Sequence, residues 1–464
     1  MKKFLKEGLV YTVIKYFITF VAFIKSLLIA KTLGPSLLGS YAYIMLLVEY
    51  ISYYNLGVYA SMNREVAINM GDKSKREYSI NIINASLTFS ILFGGFIFLI
   101  FFCLGYLPEN LFSEDFQNYR FHIFAYVLLN QFRWFFIRYF RLYEQYYILS
   151  FFEFASNAIM IIGVFFFGGK YLLNAAIYSA LVANIICVFI ALPNVKSVRF
   201  FWDFEKVKYL VKIGIPLILY GLSDKLFTSI DRFMIAQYLP REDLGFYQFG
   251  NTLAFGALML IDTLTFIFYP KFLKTFYGKS KKDLKRKKTG LLKMIYNMEY
   301  FSAFLVVVAG LVIPSFIAYI MPSYTQSILI SKVLLIGFCF KPITFLTSSF
   351  LVANNKQVFL IPITVVSMIV LTFSNYLLLN AGYGIVGVVI ATGLTFCIHS
   401  IALMIAVFQD LAFLINIWRL ILFAVLSTFI FIFKVSSSWL IVLWVLLYFT
   451  QTKKIIEMLK SIVN

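Results

Sequence analysis

Apolar runs of about twenty residues recur along the whole chain, separated by short polar breaks, and they fix the solvent in which it folds. An α-helix of that length spans the ~30 Å hydrocarbon core of a bilayer, where each backbone amide must be bonded within its own segment. Composition agrees: 61% of residues are hydrophobic and 13% charged, with a mean hydropathy of +0.87, against about 25% charged in a soluble globule. Window length predicts about 14 spans, near residues 8–30, 38–60, 79–106, 117–138, 145–168, 171–193, 209–236, 244–269, 291–320, 327–351, 358–380, 384–408, 412–433 and 437–450. The expected fold class is an all-α polytopic membrane protein.

The stretch 214–247 repeats the stretch 8–41. A shift of about 206 positions superposes Gly8 on Gly214, Ile24 on Ile230, Ala30 on Ala236, Leu33 on Leu239, Leu38 on Leu244, Gly39 on Gly245 and Tyr41 on Tyr247. Twelve core spans then fall into two six-helix lobes, and an even number of spans makes the repeat parallel. The expected organisation is an N-terminal lobe at 1–194, a cytoplasmic linker at 195–208, a second lobe at 209–408, and two appended helices with a basic tail at 409–464.

A formal net charge of +20 invites a nucleic-acid partner, but its distribution argues against one. Basic residues gather in every second connection: Lys2, Lys3 and Lys6; Arg64, Lys73, Lys75 and Arg76; Arg138 and Arg141; Lys196, Arg199, Lys206 and Lys208; the dense run at 271–288; and Lys453, Lys454 and Lys460. The intervening connections are short or acidic, as at Glu109, Glu114 and Asp115. That alternation is the positive-inside rule and puts both termini in the cytoplasm. The start resembles a signal peptide, but Lys15 and Lys25 interrupt its apolar run and no small-residue cleavage site follows, so an uncleaved first span is expected. The four cysteines, Cys103, Cys187, Cys339 and Cys397, sit singly in apolar segments, without metal-ligand or redox spacing; buried packing is the expectation.

An ionisable side chain inside a span costs about 2.5–3.5 kcal/mol on insertion scales, so it faces a partner or a wet cavity. Such residues are Lys15 and Lys25, Glu49, His122 and Arg133, Glu153, Asp224, Lys225, Asp231 and Arg232, Asp262, Lys332 and Lys341, and His399. Positive charge remains in excess, which suits an anionic ligand. In the seventh span Lys225, Ser229 and Arg232 are spaced i, i+4, i+7 and would share a helix face, beside a second polar face of Asp224, Thr228 and Asp231. Internal pairing of these carboxylates and cations is the competing reading. Arg133, in the aromatic run 131–136, would read a phosphate or stack in a structural cluster. Lys341 precedes Pro342, which should loosen the helix ladder. Lys332 is placed to snorkel. Glu49 and Asp262 would be protonation sites or buried pairs, and lone histidines are more often bonded core residues than relays. Gly214 and Pro216 would bend the seventh span.

No phosphate-cradling loop, paired-cysteine metal site or nucleophile elbow is present, so neither an enzyme nor a cofactor is expected. Without an ATP motif, uphill work would draw on an ion gradient or on downstream consumption of the product.

Two segments carry a family resemblance. Ala30-Lys31-Thr32-Leu33-Gly34-Pro35 with Leu38-Gly39-Ser40-Tyr41, and Ser229-Ile230-Asp231-Arg232-Phe233-Met234-Ile235-Ala236 with Leu244-Gly245-Phe246-Tyr247, resemble the lobe-head signatures of the polysaccharide exporters, the Wzx-type O-antigen flippases of the multidrug/oligosaccharidyl-lipid/polysaccharide superfamily. Pro240-Arg241-Glu242 departs from the pattern, standing where a glycine is common. The resemblance implies a flippase for a polyprenyl-diphosphate-linked oligosaccharide at the bacterial inner membrane, working by alternating access. A proton or sodium ion, membrane lipids, a polysaccharide polymerase and a chain-length regulator would be its partners. Lys25, Arg133, Lys225, Arg232 and Lys341 would then bind the diphosphate or acidic sugars. Glu49, Asp224, Asp231 and Asp262 would couple or gate. A lipid II flippase is chemically close; a drug or cation antiporter would favour an acidic cavity; a glycan polymerase would carry a longer outward loop than 107–116.

Overall fold

The computed structural model describes residues 2–69, 72–104, 113–195, 198–276, 281–409, 414–433 and 435–449, and over 2–13, 73, 104, 220, 260–274, 281–282 and 414–416 their backbone alone. Residues 107–112 of the expected outward loop, 277–280 of the basic run, Lys196, and Lys453, Lys454 and Lys460 lie outside the described residues.

The described chain is helical, in the order α1 Lys2–Ile51, α2 Val58–Asn69, α3 Arg76–Leu104, α4 Glu114–Leu142, α5 Tyr146–Tyr171, α6 Leu173–Ala191, α7 Phe204–Phe227, α8 Ile230–Tyr238, α9 Arg241–Phe276, α10 Lys281–Ile320, α11 Ser327–Phe338, α12 Lys341–Ala353, α13 Leu360–Asn380, α14 Gly384–Phe408 and α15 Leu414–Ile432, then α16 Trp439–Phe449. Eight described segments are long and apolar enough to cross a membrane. α4 is 29 residues long but is not one of them, because it carries Arg120, His122, Asn130, Gln131, Arg133 and Arg138. Hydroxyls inside the spans are satisfied within their own helix, as in Thr19 to the Lys15 carbonyl (2.8 Å), Ser26 to Ala22 (3.0 Å) and Ser52 to Val48 (2.6 Å). A medium without competing water demands that economy.

Several expected spans have different ends. The first two are the halves of α1, broken at Gly34 (φ 70°, ψ 175°) just before Pro35. A Cβ there would meet nothing within 4 Å, so glycine is needed for its backbone conformation and not for space. The second span stops short of residue 60. Its helix ends at Ile51, a 3₁₀ turn follows at Ser52–Asn55, and the Gly57 amide donates to Asn55 Oδ1 at 3.0 Å. The seventh span divides into α7 and α8 at Thr228 and Ser229, the latter at φ −145°, ψ −1°. The expected common face of Lys225, Ser229 and Arg232 is therefore interrupted. The tenth divides into α11 and α12 at Cys339 and Phe340, with Pro342 in the first turn of α12. The described part of α16 rises about 16 Å, roughly half the hydrocarbon core.

The chain forms two compact units, Met1–Lys225 and Leu226–Asn464. In the first, α5 packs on α6 and on α1, and α4 joins both. The core is aromatic, with Phe135, Phe136, Tyr139, Phe140 and Phe152 buried around Tyr59. α7 crosses the turn after α1 at backbone contact: a Cβ on Gly57 (φ 76°) would lie 2.2 Å from the Gly214 carbonyl oxygen, and one on Gly214 2.6 Å from that of Leu56. Gly214 thus serves close approach, within an unbroken α7 that contains Pro216. The connector ahead of α7 is strapped to α3, its Arg199 and Phe201 amides donating to Asn84 Oδ1 and Thr88 Oγ1, both at 3.0 Å. Asp203 then accepts the Lys206 amide (3.0 Å) and pairs with the Lys206 amine, and these bonds hold its carboxyl below the ordinary carboxylate range.

In the second unit α11 lies among α9, α14 and α10, and α13 packs on α14 and α8. Ser327 donates to the Phe246 carbonyl at 2.8 Å, and Asn354 to the Phe276 carbonyl at 3.0 Å. α15 contacts α10 and α11. Glu299 of α10 is fully buried and accepts from the Tyr448 hydroxyl of α16 at 3.0 Å. The cysteines are free, Cys187 and Cys339 buried, Cys397 half-buried and Cys103, against expectation, exposed. His399 bonds Ser367 at 2.9 Å, and His122 the Tyr178 hydroxyl at 3.0 Å.

Candidate functional site

Among the described residues, the ionisable side chains expected from the sequence to form the site fall into three groups, two in the first unit and one in the second. The first lies on α1, α4 and α5. Lys15 pairs with Glu153 at 2.6 Å. Lys25 donates to Asn157 Oδ1 at 2.9 Å, and Asn157 donates in turn to the Glu153 carbonyl at 3.0 Å. Arg133 stands close enough to Lys25 for the two cations to repel, and its Nε is buried without a hydrogen-bond partner. Among the described residues neither Lys25 nor Arg133 has a carboxylate within ion-pair distance. Of these three cations, Lys15 alone has a carboxylate partner among the described residues. An anion entering here would relieve like-charge repulsion that a low-dielectric setting magnifies, and the Arg133 fork still has a donor to offer.

The aromatic run around Arg133 is core. Phe135 and Phe136 are buried, and the arginine that stacks is Arg138, its guanidinium 5.7 Å from both the Tyr59 and Trp134 ring centres.

The second group joins α1 to α7. Lys225 Nζ pairs with Glu49 Oε1 at 2.6 Å, and the Tyr50 hydroxyl donates to the Lys225 carbonyl at 3.2 Å. Asp224 is exposed and interacts electrostatically with Tyr53.

The third group surrounds the start of α8. Asp231 is buried; it accepts the Arg232 amide at 2.7 Å and the Tyr247 hydroxyl. Tyr247 is bonded also to Thr392, and Lys341 interacts electrostatically with Asp231. The Arg232 guanidinium donates to the Thr228 carbonyl at 3.3 Å, across the α7–α8 break. The Lys341 amine sits 3.5 Å and 3.8 Å from the Phe255 and Phe338 ring centres, a cation wrapped in aromatic faces. The Asp262 side chain lies outside the described residues.

Nine site residues were expected from the sequence. Lys25 and Arg133 come together, as do Glu49, Lys225 and Asp224, and as do Asp231, Arg232 and Lys341. Asn157, Tyr247 and the Lys15–Glu153 pair had no expected role in the site. Glu153 and Asn157 are spaced i, i+4, so a shared polar face on α5 was open to reading.

This two-unit helical membrane bundle has a fold that solved structures share. It superposes on a lipid II flippase, MurJ, in an inward closed conformation with a TM-score of 0.73 at 12% identity, covering 97% of this chain and 99% of that one. An inward-facing multidrug resistance MATE family transporter of the MOP superfamily gives a TM-score of 0.68 at 14% identity, covering 87% and 94%. The Vibrio cholerae MATE transporter VcmN gives 0.59 at 15% identity, covering 87% and 96%. No individually curated protein matches the chain. The chain belongs to the family of polysaccharide biosynthesis proteins, whose model matches residues 4–276, in line with the resemblance carried by its two lobe heads.

Proposed function

We propose that this chain is a flippase that moves a polyprenyl-diphosphate-linked oligosaccharide, an O-antigen or capsule repeat unit, across the bacterial inner membrane by alternating access. The observation that carries the reading is that Lys25, bonded to the Asn157 amide, and Arg133 have no carboxylate within ion-pair distance among the described residues. A diphosphate that leaves water to cross a ~30 Å hydrocarbon layer loses hydration that fixed cations offset. In this reading the lobes are 1–194 and 209–408 with 195–208 between them, both termini are cytoplasmic, and 409–464 is an appended pair of helices with a basic tail. Lys25, Arg133, Lys225, Arg232 and Lys341 meet the anionic headgroup. Glu49, Asp224, Asp231 and Asp262 couple its passage to a proton or sodium ion, and a polysaccharide polymerase and chain-length regulator act on what is delivered. The protein itself makes and breaks no covalent bond.

Export assays with charge-neutral variants test this. Lys25→Gln and Arg133→Gln should each reduce surface polysaccharide at least about tenfold, the loss expected from one charge-assisted contact, and lipid-linked repeat units should accumulate on the inner leaflet. Lys25→Arg should retain partial export. Full export by both neutral variants, or accumulation of a peptidoglycan precursor instead, would overturn the assignment.

A further inference from the structure

Two cavities in the second unit lie one above the other along the same three helices. The upper, of about 610 Å³, is lined by Thr325, Gln326, Lys332, Val386, Phe431 and Ser437 among others. The lower, of about 290 Å³, is lined by apolar residues that include Val333, Gly337, Gly393, Leu394, Ala424 and Val425. On α11 the lining steps from Ile330 and Lys332 to Val333 and Gly337, on α14 from Ile385 and Val386 to Gly393 and Cys397, and on α15 from Phe431 back to Ile421. At ~1.5 Å per residue these stretches extend about 10 Å on α11 and about 15 to 18 Å on α15 and α14, the latter the depth of one leaflet of a ~30 Å core. The floor is tight: a Cβ on Gly337 would stand 2.7 Å from the Gly393 Cα.

The mouth has the opposite character. Lys332 Nζ donates to the Ser437 hydroxyl at 2.8 Å and lies 4.9 Å from the Phe431 ring centre. Among the described residues Lys332 is the one charged side chain lining either cavity, no carboxylate accompanies it, and it makes no ion pair. Ser437 accepts from the amine and keeps its own O–H to donate. The Ser438 amide donates to the Ser436 hydroxyl oxygen at 3.4 Å, which orders the turn that carries Ser437. A cation and a hydroxyl at the membrane-surface end of a slot one leaflet deep match one ligand chemistry: a phosphodiester on an acyl chain.

We propose that this slot is a binding site for an anionic phospholipid, with its phosphate on Lys332 and Ser437 and one acyl chain against Gly337, Gly393 and Ala424. The site is separate from the Lys25 and Arg133 cluster, and its occupant is resident lipid and not transported cargo.

Native mass spectrometry of the full chain, released from bilayer discs of phosphatidylglycerol or of phosphatidylcholine, tests the site. The wild type should retain a phosphatidylglycerol adduct, and retain phosphatidylcholine several-fold less. Lys332→Gln should reduce the adduct about tenfold, the weight of one charge-assisted contact. Ala424→Phe, which fills the slot and leaves Lys332 in place, should reduce it as well; Lys332→Arg should keep it. Equal retention of the two lipids by the wild type overturns the proposal without any variant. So does an adduct unchanged in both variants, or an adduct with the mass of a polyprenyl phosphate carrier. Export lost in Lys25→Gln with the adduct intact would separate this site from the transport reading.

Discussion

Lys15 and Lys25 leave α1 ten residues apart, about 15 Å along the axis, yet they reach Glu153 and Asn157, neighbours one turn apart on α5. The two long side chains converge, and their ends have different fates: one amine is neutralised by a carboxylate, the other meets only an amide. The Lys15–Glu153 pair is best understood as scaffolding for its neighbour. Glu153 is 8% exposed, and removing Lys15 would leave it a nearly buried charge without a counterion. Breaking a buried pair costs about 3–5 kcal/mol; with Lys15 39% exposed, about 1–2 kcal/mol is the appropriate figure. Lys15→Gln should lower the melting temperature by several degrees in detergent, Lys15→Glu should lower it further, and Lys15→Glu with Glu153→Lys should recover most of the loss. No recovery in the exchanged pair would show that the two do not support each other. The cation surplus was open to reading from the chain, since any lysine or arginine in an apolar run stands out. Which cations end up without a carboxylate was not, because Lys15 and Lys25 look alike until α5 supplies Glu153 to one and Asn157 to the other.

At the level of elements, hydropathy windows located membrane helices well and their interruptions poorly. The expected span 384–408 coincides with α14, where Gly382 and Gly384 at positive φ mark the start. The break at Ser229 falls inside the polar stretch 223–232 and that at Cys339 and Phe340 inside an apolar stretch, and no window average registers either as an interruption. Pro342 gave a hint of the second, whereas Ser229 gave none. Glycines show the same division. Gly34 and Gly57 both have positive φ, but an added Cβ meets nothing at Gly34 and the Gly214 carbonyl at Gly57. Gly34→Ala should therefore cost only backbone strain, about 1–3 kcal/mol. Gly57→Ala carries similar strain plus about 1–3 kcal/mol or more of overpacking, and Gly214→Ala overpacking alone. Folded yield and melting temperature should rank wild type above Gly34→Ala, and Gly34→Ala above Gly57→Ala; an inverted order would mean that α7 does not cross the turn after α1 at backbone contact.

At the scale of the whole molecule, the alternation of basic connections predicts sidedness. Alkaline phosphatase, active only outside the cytoplasm, should be inactive when fused at Glu144, in the turn between α4 and α5 beside Arg138 and Arg141, and active when fused at Leu172, between α5 and α6. The reverse pattern would invert the topology. The contact boundary at Lys225 lies deeper in the chain than a basic connector would mark, because α7 rests on the turn after α1 through Gly214 and pairs Lys225 with Glu49. That pairing also affects how the protein is born. Glu49 and Lys225 are 225 − 49 = 176 positions apart, so at roughly 5–20 residues per second a ribosome needs about 10 to 35 s between them. Until then the nascent first unit carries a carboxylate whose counterion has not yet been made, and its final closure must wait for the arrival of α7.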